Sequence, residues 1–170
     1  LLALPGLVDL HTHLREPGRE DAETVATGTL AAARGGYTAV HAMANLSPVT
    51  DTAEAAEHLA ALSARTGSAE VVVVGSVTKG LAGDQLSEMG LMNRSAAGVR
   101  MFSDDGRCVM DSLMMRRALT YARTFDAVIA QHAQDSRLAG PGACCHESEI
   151  SGRLGLPGWP AQAESAIIAR

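Results

Sequence analysis

Two histidines separated by one residue, His11-Thr12-His13, follow an apolar run over residues 4–10 and precede Arg15-Glu16-Pro17-Gly18. The run reads as a short buried strand ending at the first histidine. On a strand, positions i and i+2 face the same side, so both imidazoles can reach one metal ion. Arg15 has the same parity and is expected in the same cleft. A bound metal ion polarises carbonyls and lowers the pKa of water towards neutrality. A guanidinium grips a carboxylate through two parallel hydrogen bonds. The pattern therefore implies a substrate carrying both a polarisable carbonyl and a carboxylate. Pro17-Gly18 is a turn signal, which fits a loop leaving the strand.

Further residues of the right chemical kinds follow other apolar runs. Phe102-Ser103-Asp104-Asp105-Gly106 ends in an Asp-Gly pair. Such pairs are common in turns, and alone this segment reads more readily as a capping turn than as a ligand. His132 closes the run 128–131. By itself it is a polar strand end; as a third imidazole beside a carboxylate it completes a set that suits zinc. Asn45, ahead of Leu46-Ser47-Pro48, reads either as a turn residue or as an amide meeting a substrate oxygen. His41 and His58 read as structural or exposed. His146, beside Glu147, is open to either reading. Met110, Met114 and Met115 read as packing residues.

The elements that must position these residues recur at a regular interval. Strands are expected at 7–10, 38–42, 70–75, 98–102 and 127–130, with centres at Val8, Val40, Val73, Arg100 and Ile129. Helices are expected between them. The first covers 22–34 and stops at Gly35-Gly36. The second covers 52–65, with Asp51 as its N-cap and Gly67 beyond its end. Others are expected at 85–93, at 112–123 behind Asp111, and after Pro160. A strand, loop and helix every roughly thirty residues means parallel strands with crossover helices. An open doubly wound sheet and a closed (β/α)8 barrel compete. No GxGxxG opens the first helix, which removes the main signal of the dinucleotide-binding sheet. Polar residues after several different strands favour the TIM barrel. The expected class is thus α/β, a partial (β/α)8 TIM barrel of about its first five β/α units.

Composition narrows the function. Apolar residues make up 46% of the 170, enough for a core, but aromatics only 3%, so aliphatic packing must dominate. The net charge of -5 offers no basic face for nucleic acid. Lys79 is the only lysine among 14 basic residues. Cys108, Cys144 and Cys145 form no CxxC, so neither a disulfide framework nor a zinc knuckle is indicated and a cytoplasmic location is expected. No run approaches the ~18 apolar residues of a membrane span. Both ends read as cut: the chain enters a strand without a preceding turn, and 161–170 reads as a helix without a stop signal. An internal piece of a longer protein, the N-terminal part of a barrel over residues 1–170, is expected.

These residues carry a resemblance. Pro5-Gly6-Leu7-Val8-Asp9-Leu10-His11-Thr12-His13-Leu14-Arg15-Glu16-Pro17-Gly18 resembles the signature of the dihydroorotases, in the amidohydrolase superfamily. Ala42-Met43-Ala44-Asn45 with Pro48, Phe102-Ser103-Asp104-Asp105-Gly106, Gln131-His132-Ala133 and Leu154-Gly155-Leu156-Pro157-Gly158 resemble the family's later motifs, in order. The resemblance covers essentially the whole chain and is nearest to the longer bacterial class I enzymes of actinobacterial type. It implies a zinc-dependent barrel, with one or two ions, that interconverts N-carbamoyl-L-aspartate and L-dihydroorotate in pyrimidine synthesis. His11 and His13 would bind one zinc and His132 a second. Many relatives bridge the two with a carboxylated lysine after the fourth strand, where this chain has none; Lys79 follows the third. Class I relatives use an aspartate, and Asp105 rather than Asp104 fits the family spacing, 27 residues before His132. Arg15 and Asn45 would hold the substrate carboxylate, with His13 also at the substrate.

The resemblance also sets limits. Leu46 stands where the family usually has threonine, and Ser148 where glycine is common after the His-Glu pair. No catalytic acid/base falls in this chain: that aspartate and the fourth metal histidine are expected beyond Arg170. Two other readings remain open here. One is a cyclic amidohydrolase of allantoin or hydantoin type, against which Arg15 argues. The other is a non-catalytic homologue that scaffolds aspartate carbamoyltransferase. A small-molecule substrate is expected, with neither nucleic acid nor membrane as partner. A homodimer and association with aspartate carbamoyltransferase are compatible with the resemblance.

Overall fold

Each aliphatic run pairs with the next one along the chain. In the computed structural model, which describes residues 2–169, β1 (Leu7–Thr12), β2 (Tyr37–Ala42), β3 (Glu70–Gly75), β4 (Met101–Phe102) and β5 (Val128–Ile129) form one parallel sheet in the order β1-β2-β3-β4-β5. A doubly wound sheet reverses its order at a switch point. This one never reverses, so the structure is five successive units of a (β/α)8 barrel. β4 and β5 are shorter than expected. The backbone at Gly98 has φ +57, which no extended strand adopts, so β4 cannot begin there.

The crossover helices follow local capping chemistry. α1 (Val25–Arg34) starts behind Thr24, which exchanges a reciprocal capping box with Thr27, and this places its start later than residue 22. Gly36, at φ +88, turns the chain out of the helix as expected. α2 (Ala53–Thr66) is capped by Thr52 and not by Asp51. The Asp51 carboxylate instead accepts from the Gly80 N–H, tying the start of α2 to the loop after β3. α3 (Met89–Arg94) is shorter than the expected 85–93. Residues 85–87 are drawn away from helix by backbone bonds: Lys79 N–H to Gln85 O and Ser87 N–H to Val77 O. α4 (Ser112–Ala122) begins behind Asp111, whose carboxylate accepts from the Met114 N–H, as expected.

Past β5 the chain forms α5 (Ser136–Ala139), a short parallel pair β6 (Cys145–His146) and β7 (Gly158–Trp159), α6 (Glu149–Arg153) between them, and α7 (Gln162–Ala169). Elements of two to five residues carry no periodic signal. The Ser148 that departs from the family pattern caps α6, in a capping box with Ser151.

The core lies between the sheet and its helices, around Val40, Leu59, Val73, Met89, Met92, Phe102 and Ala118. Met114 joins it, with Met115 packed at its margin. β1 corrects the expectation of a buried strand: Leu7, Val8 and Leu10 are 53%, 54% and 59% exposed. β1 hydrogen-bonds only to β2, and among the described residues no element covers its other edge. No helix among the described residues is long and apolar enough to cross a membrane.

Candidate metal centre

The two histidines are held where β1 leaves the sheet. His11 lies within β1 and His13 just beyond it. Thr12, between them, faces β2: its hydroxyl donates to His41 O at 2.8 Å and its carbonyl accepts from the Met43 N–H at 3.0 Å. With Thr12 pinned to one side, both imidazoles project to the other, their ring centroids 5.2 Å apart.

The carboxylate that meets them comes from the loop after β4, where Asp104 and Asp105 divide the two roles that the sequence left in competition. Asp104 is buried and serves the backbone: its Oδ1 accepts from the N–H groups of Val77 and Thr78, at 2.8 and 3.0 Å, and its other oxygen accepts from the Thr78 hydroxyl. Burial pushes its carboxyl above the usual range, against these bonds, which favour the charged form. Gly106, at φ +81, completes the turn. Asp105 is left to face the histidines. Its Oδ1 lies 3.2 Å from His11 Nε2 and 3.5 Å from His132 Nδ1, and its Oδ2 lies 3.4 Å from His13 Nε2.

His132 follows β5; its Nε2–H donates to Gln134 Oε1 at 2.7 Å, and Nδ1 is the nitrogen that faces Asp105. Gln134 was missed in the sequence; its one signal is the shared parity with His132 two residues before it. A cavity of 480 Å³ opens beside the ligands, between His11, Asp105 and His132 on one side and His146, Trp159 and Glu164 on the other. The open reading of His146 thus resolves to a wall of this cavity. His41 is structural: its ring Nδ1 lies 3.2 Å from Asp9 O. His58 is exposed on α2.

Asn45 also reaches two of these candidate ligands. Its Oδ1 lies 3.1 Å from His13 Nδ1 and its Nδ2 donates to Asp105 Oδ2 at 3.2 Å. Arg15 departs from expectation in one respect. The strand ends at Thr12 and Arg15 adopts φ +61, so strand parity does not aim its side chain. The guanidinium is exposed and makes no hydrogen bond or ion pair with the described residues. Its loop is nevertheless fixed: Glu16 Oε2 accepts from the Val25 N–H at the start of α1, and the Ser47 N–H donates to Pro17 O. The Arg15 and Asn45 loops therefore lie against each other.

The donor set fits a metal ion. His11, His13 and Asp105 offer ligand atoms within 4.8 Å of one another. Donor atoms at about 2.1 Å from a tetrahedral zinc stand about 3.4 Å apart; His11 Nε2 lies 3.2 Å from Asp105 Oδ1 and His13 Nε2 lies 3.4 Å from Asp105 Oδ2, separations of the same scale. Nitrogen and carboxylate donors are the chemistry such ions take, and His13 and Asp105 have the Asn45 amide behind them.

Comparison with known proteins agrees with this geometry. The family model described as dihydro-orotase-like matches residues 1–170. The chain is 61% identical to a dihydroorotase of Leifsonia xyli over its whole length. It is 59% and 58% identical to dihydroorotases of Streptomyces coelicolor and Mycobacterium tuberculosis, over 98% of its length. It spans 39% of each of these relatives. Among solved structures, L-hydantoinase (dihydropyrimidinase) from Arthrobacter aurescens superposes with a TM-score of 0.67 at 18% identity, over 79% of this chain and 30% of that one, a likeness of fold. With the barrel order, the ligand cluster and a match from end to end, the chain belongs to the dihydro-orotase-like family.

Proposed function

We propose that this chain supplies the first part of the active site of a zinc-dependent dihydroorotase, which reversibly hydrolyses L-dihydroorotate to N-carbamoyl-L-aspartate for pyrimidine synthesis in the cytoplasm. The observation that carries the reading is Asp105, buried, with three imidazoles converging on its two oxygens at 3.2 to 3.5 Å. His11, His13 and Asp105 would hold one ion, and Asp105 with His132 would hold a second. When bound, such ions supply positive charge that polarises the ring amide carbonyl and makes water a nucleophile near neutral pH.

Binding and orienting the substrate belong to the chain's own groups. Arg15, exposed and without an anionic partner among the described residues, binds the substrate's α-carboxylate through a two-pronged contact. This fixes the ring so that its amide carbon faces the ligand cluster. Water adds to that carbon and gives a proton to the acid/base that the family resemblance places beyond Arg170; the C–N bond breaks, and the same group returns the proton to the departing nitrogen. An aspartate bridge needs no carbon dioxide to assemble, unlike a carboxylated lysine.

The test uses the full-length protein. Exhaustive chelation should abolish carbamoyl-aspartate cyclisation, and added Zn²⁺ should restore it; activity indifferent to chelation would remove the metal from the mechanism. Arg15→Met should raise the KM for dihydroorotate by at least about tenfold, roughly what a lost charge-assisted bond costs. An unchanged KM would overturn the carboxylate assignment and favour a hydantoin-type substrate. Intact residues at the four expected ligand positions that fall in this chain, His11, His13, Asp105 and His132, weigh against a purely scaffolding homologue.

A further inference from the structure

The amide of Asn45 touches two of the metal ligands from two different loops. It stands 32 residues from His13 and 60 from Asp105 in the chain, and hydrogen-bonds to both. The roles of its atoms follow from the carboxylate. An ionised carboxylate only accepts hydrogen bonds, so the amide NH₂ must face Asp105. The amide oxygen must then face His13 Nδ1. That oxygen only accepts, so Nδ1 must carry a proton. Nε2 is the nitrogen left to take a metal, and it lies 3.4 Å from Asp105 Oδ2. One amide thus selects the ligating tautomer of His13 and sets the rotation of Asp105.

We infer that Asn45 is a positioning residue of the metal centre, acting on His13 and Asp105 before any substrate arrives. This rests on the reading of the cluster as a metal site and goes beyond the contact with the substrate carboxylate that the family resemblance implies. The two roles are compatible, because an amide has two N–H donors and two acceptor lone pairs. One of each is committed to the ligands, and the second N–H stays available for a carboxylate held by Arg15. The loop is rigid enough for the task. Ala44 O accepts from the N–H groups of Leu46 and Thr50, and Met43, Ala44 and Thr50 are buried. Partners behind metal ligands carry weight of this kind: losing one typically costs 10- to 100-fold in metal affinity, about as much as a direct substrate contact.

The experiment measures Zn²⁺ binding by the full-length protein in competition with a chromogenic chelator, with no substrate present. Asn45→Ala should weaken Zn²⁺ by about tenfold or more, whereas Arg15→Met should leave it within about twofold of the unaltered protein. Asn45→Ala with undiminished affinity would overturn the inference while leaving the metal site intact. No Zn²⁺ binding by the unaltered protein would instead overturn the site reading itself. A second measurement does not depend on any variant folding: nitrogen NMR of the metal-free, unaltered protein should show a proton on His13 Nδ1, whether or not Nε2 also carries one. A His13 Nδ1 without a proton would overturn the inference on its own.

Discussion

Asp104 and Asp105 are chemically identical neighbours with opposite surroundings. Asp104 satisfies two backbone N–H groups and a hydroxyl in the loop after β3, so it joins that loop to the one that presents Asp105. Asp104→Ala would strand those donors in the interior, and each unsatisfied buried group costs about 1–3 kcal/mol. We expect a loss of about 3 kcal/mol in chemical denaturation of the full-length protein. Asp104→Asn keeps the Oδ1 acceptor for both N–H groups and should lose less than half as much. Equal losses would mean that the charge, not the acceptor, matters at this position. Asp105→Ala, by contrast, removes the group on which three imidazoles converge. It should lower Zn²⁺ affinity by more than about 100-fold, beyond the usual cost of an outer-shell partner, with a melting temperature in the metal-free state close to that of the unaltered protein. Asp105 differs from Asp104 in sequence only by its distance from His132. No local pattern shows that one turn residue is clamped by backbone while the next is free.

At the scale of elements, the strand ends carry the site and the core behind them keeps it in register. Phe102 ends β4 immediately before the Ser103-Asp104-Asp105 loop, is fully buried, and stands edge-on to Phe125 with ring centroids 6.2 Å apart. A Cβ added at Gly75 on the neighbouring strand would fall 2.8 Å from the Phe102 ring and 2.9 Å from Met92 Sδ. Gly75→Ala should therefore destabilise by about 1–3 kcal/mol through overpacking. The strain falls on the β3–β4 pair that orients Asp105, so Zn²⁺ affinity should fall along with stability. A fully stable Gly75→Ala protein would show that the core relaxes at this point. The start of α4 was legible because a polar cap, Asp111, precedes an amphipathic run. The cap of α2 was misread because both Asp51 and Thr52 can cap a helix and Asp is the stronger capping residue. Which one turns inward was decided by Gly80, almost thirty residues away, whose N–H takes up Asp51.

At the scale of the molecule, β1 and β5 each have one strand neighbour among the described residues. Leu7, Val8 and Leu10 on β1 and Val128 on β5 are more than half exposed. Unpaired strand edges with apolar side chains recruit other chains. Residues 1–170 produced alone should therefore self-associate and show no dihydroorotate turnover. Sedimentation velocity and a turnover assay check this together, and a monomeric, active chain of these residues would refute it. The apolar run of β1 was plain in the sequence, but its exposure was not. Burial depends on what lies across the open edge, and strand patterning is silent on that.

Local chemistry in the sequence was enough to determine the β/α alternation, the strand order expected of a barrel, and the residue types of the centre. Strand periodicity, caps and turn residues act over a few positions, and each strand pairs with its successor. Only the tertiary structure decided how those residues are used. It separated Asp104 from Asp105, aimed Gln134 at His132, and brought Asn45 across 60 residues onto Asp105. Strand parity would have carried Arg15 into the same row as the histidines, yet the backbone turns at φ +61 and releases it to the surface. Hydrogen bonds between loops from different strands have no sequence period. They come into being only when the sheet curls and brings its strand ends together around one carboxylate.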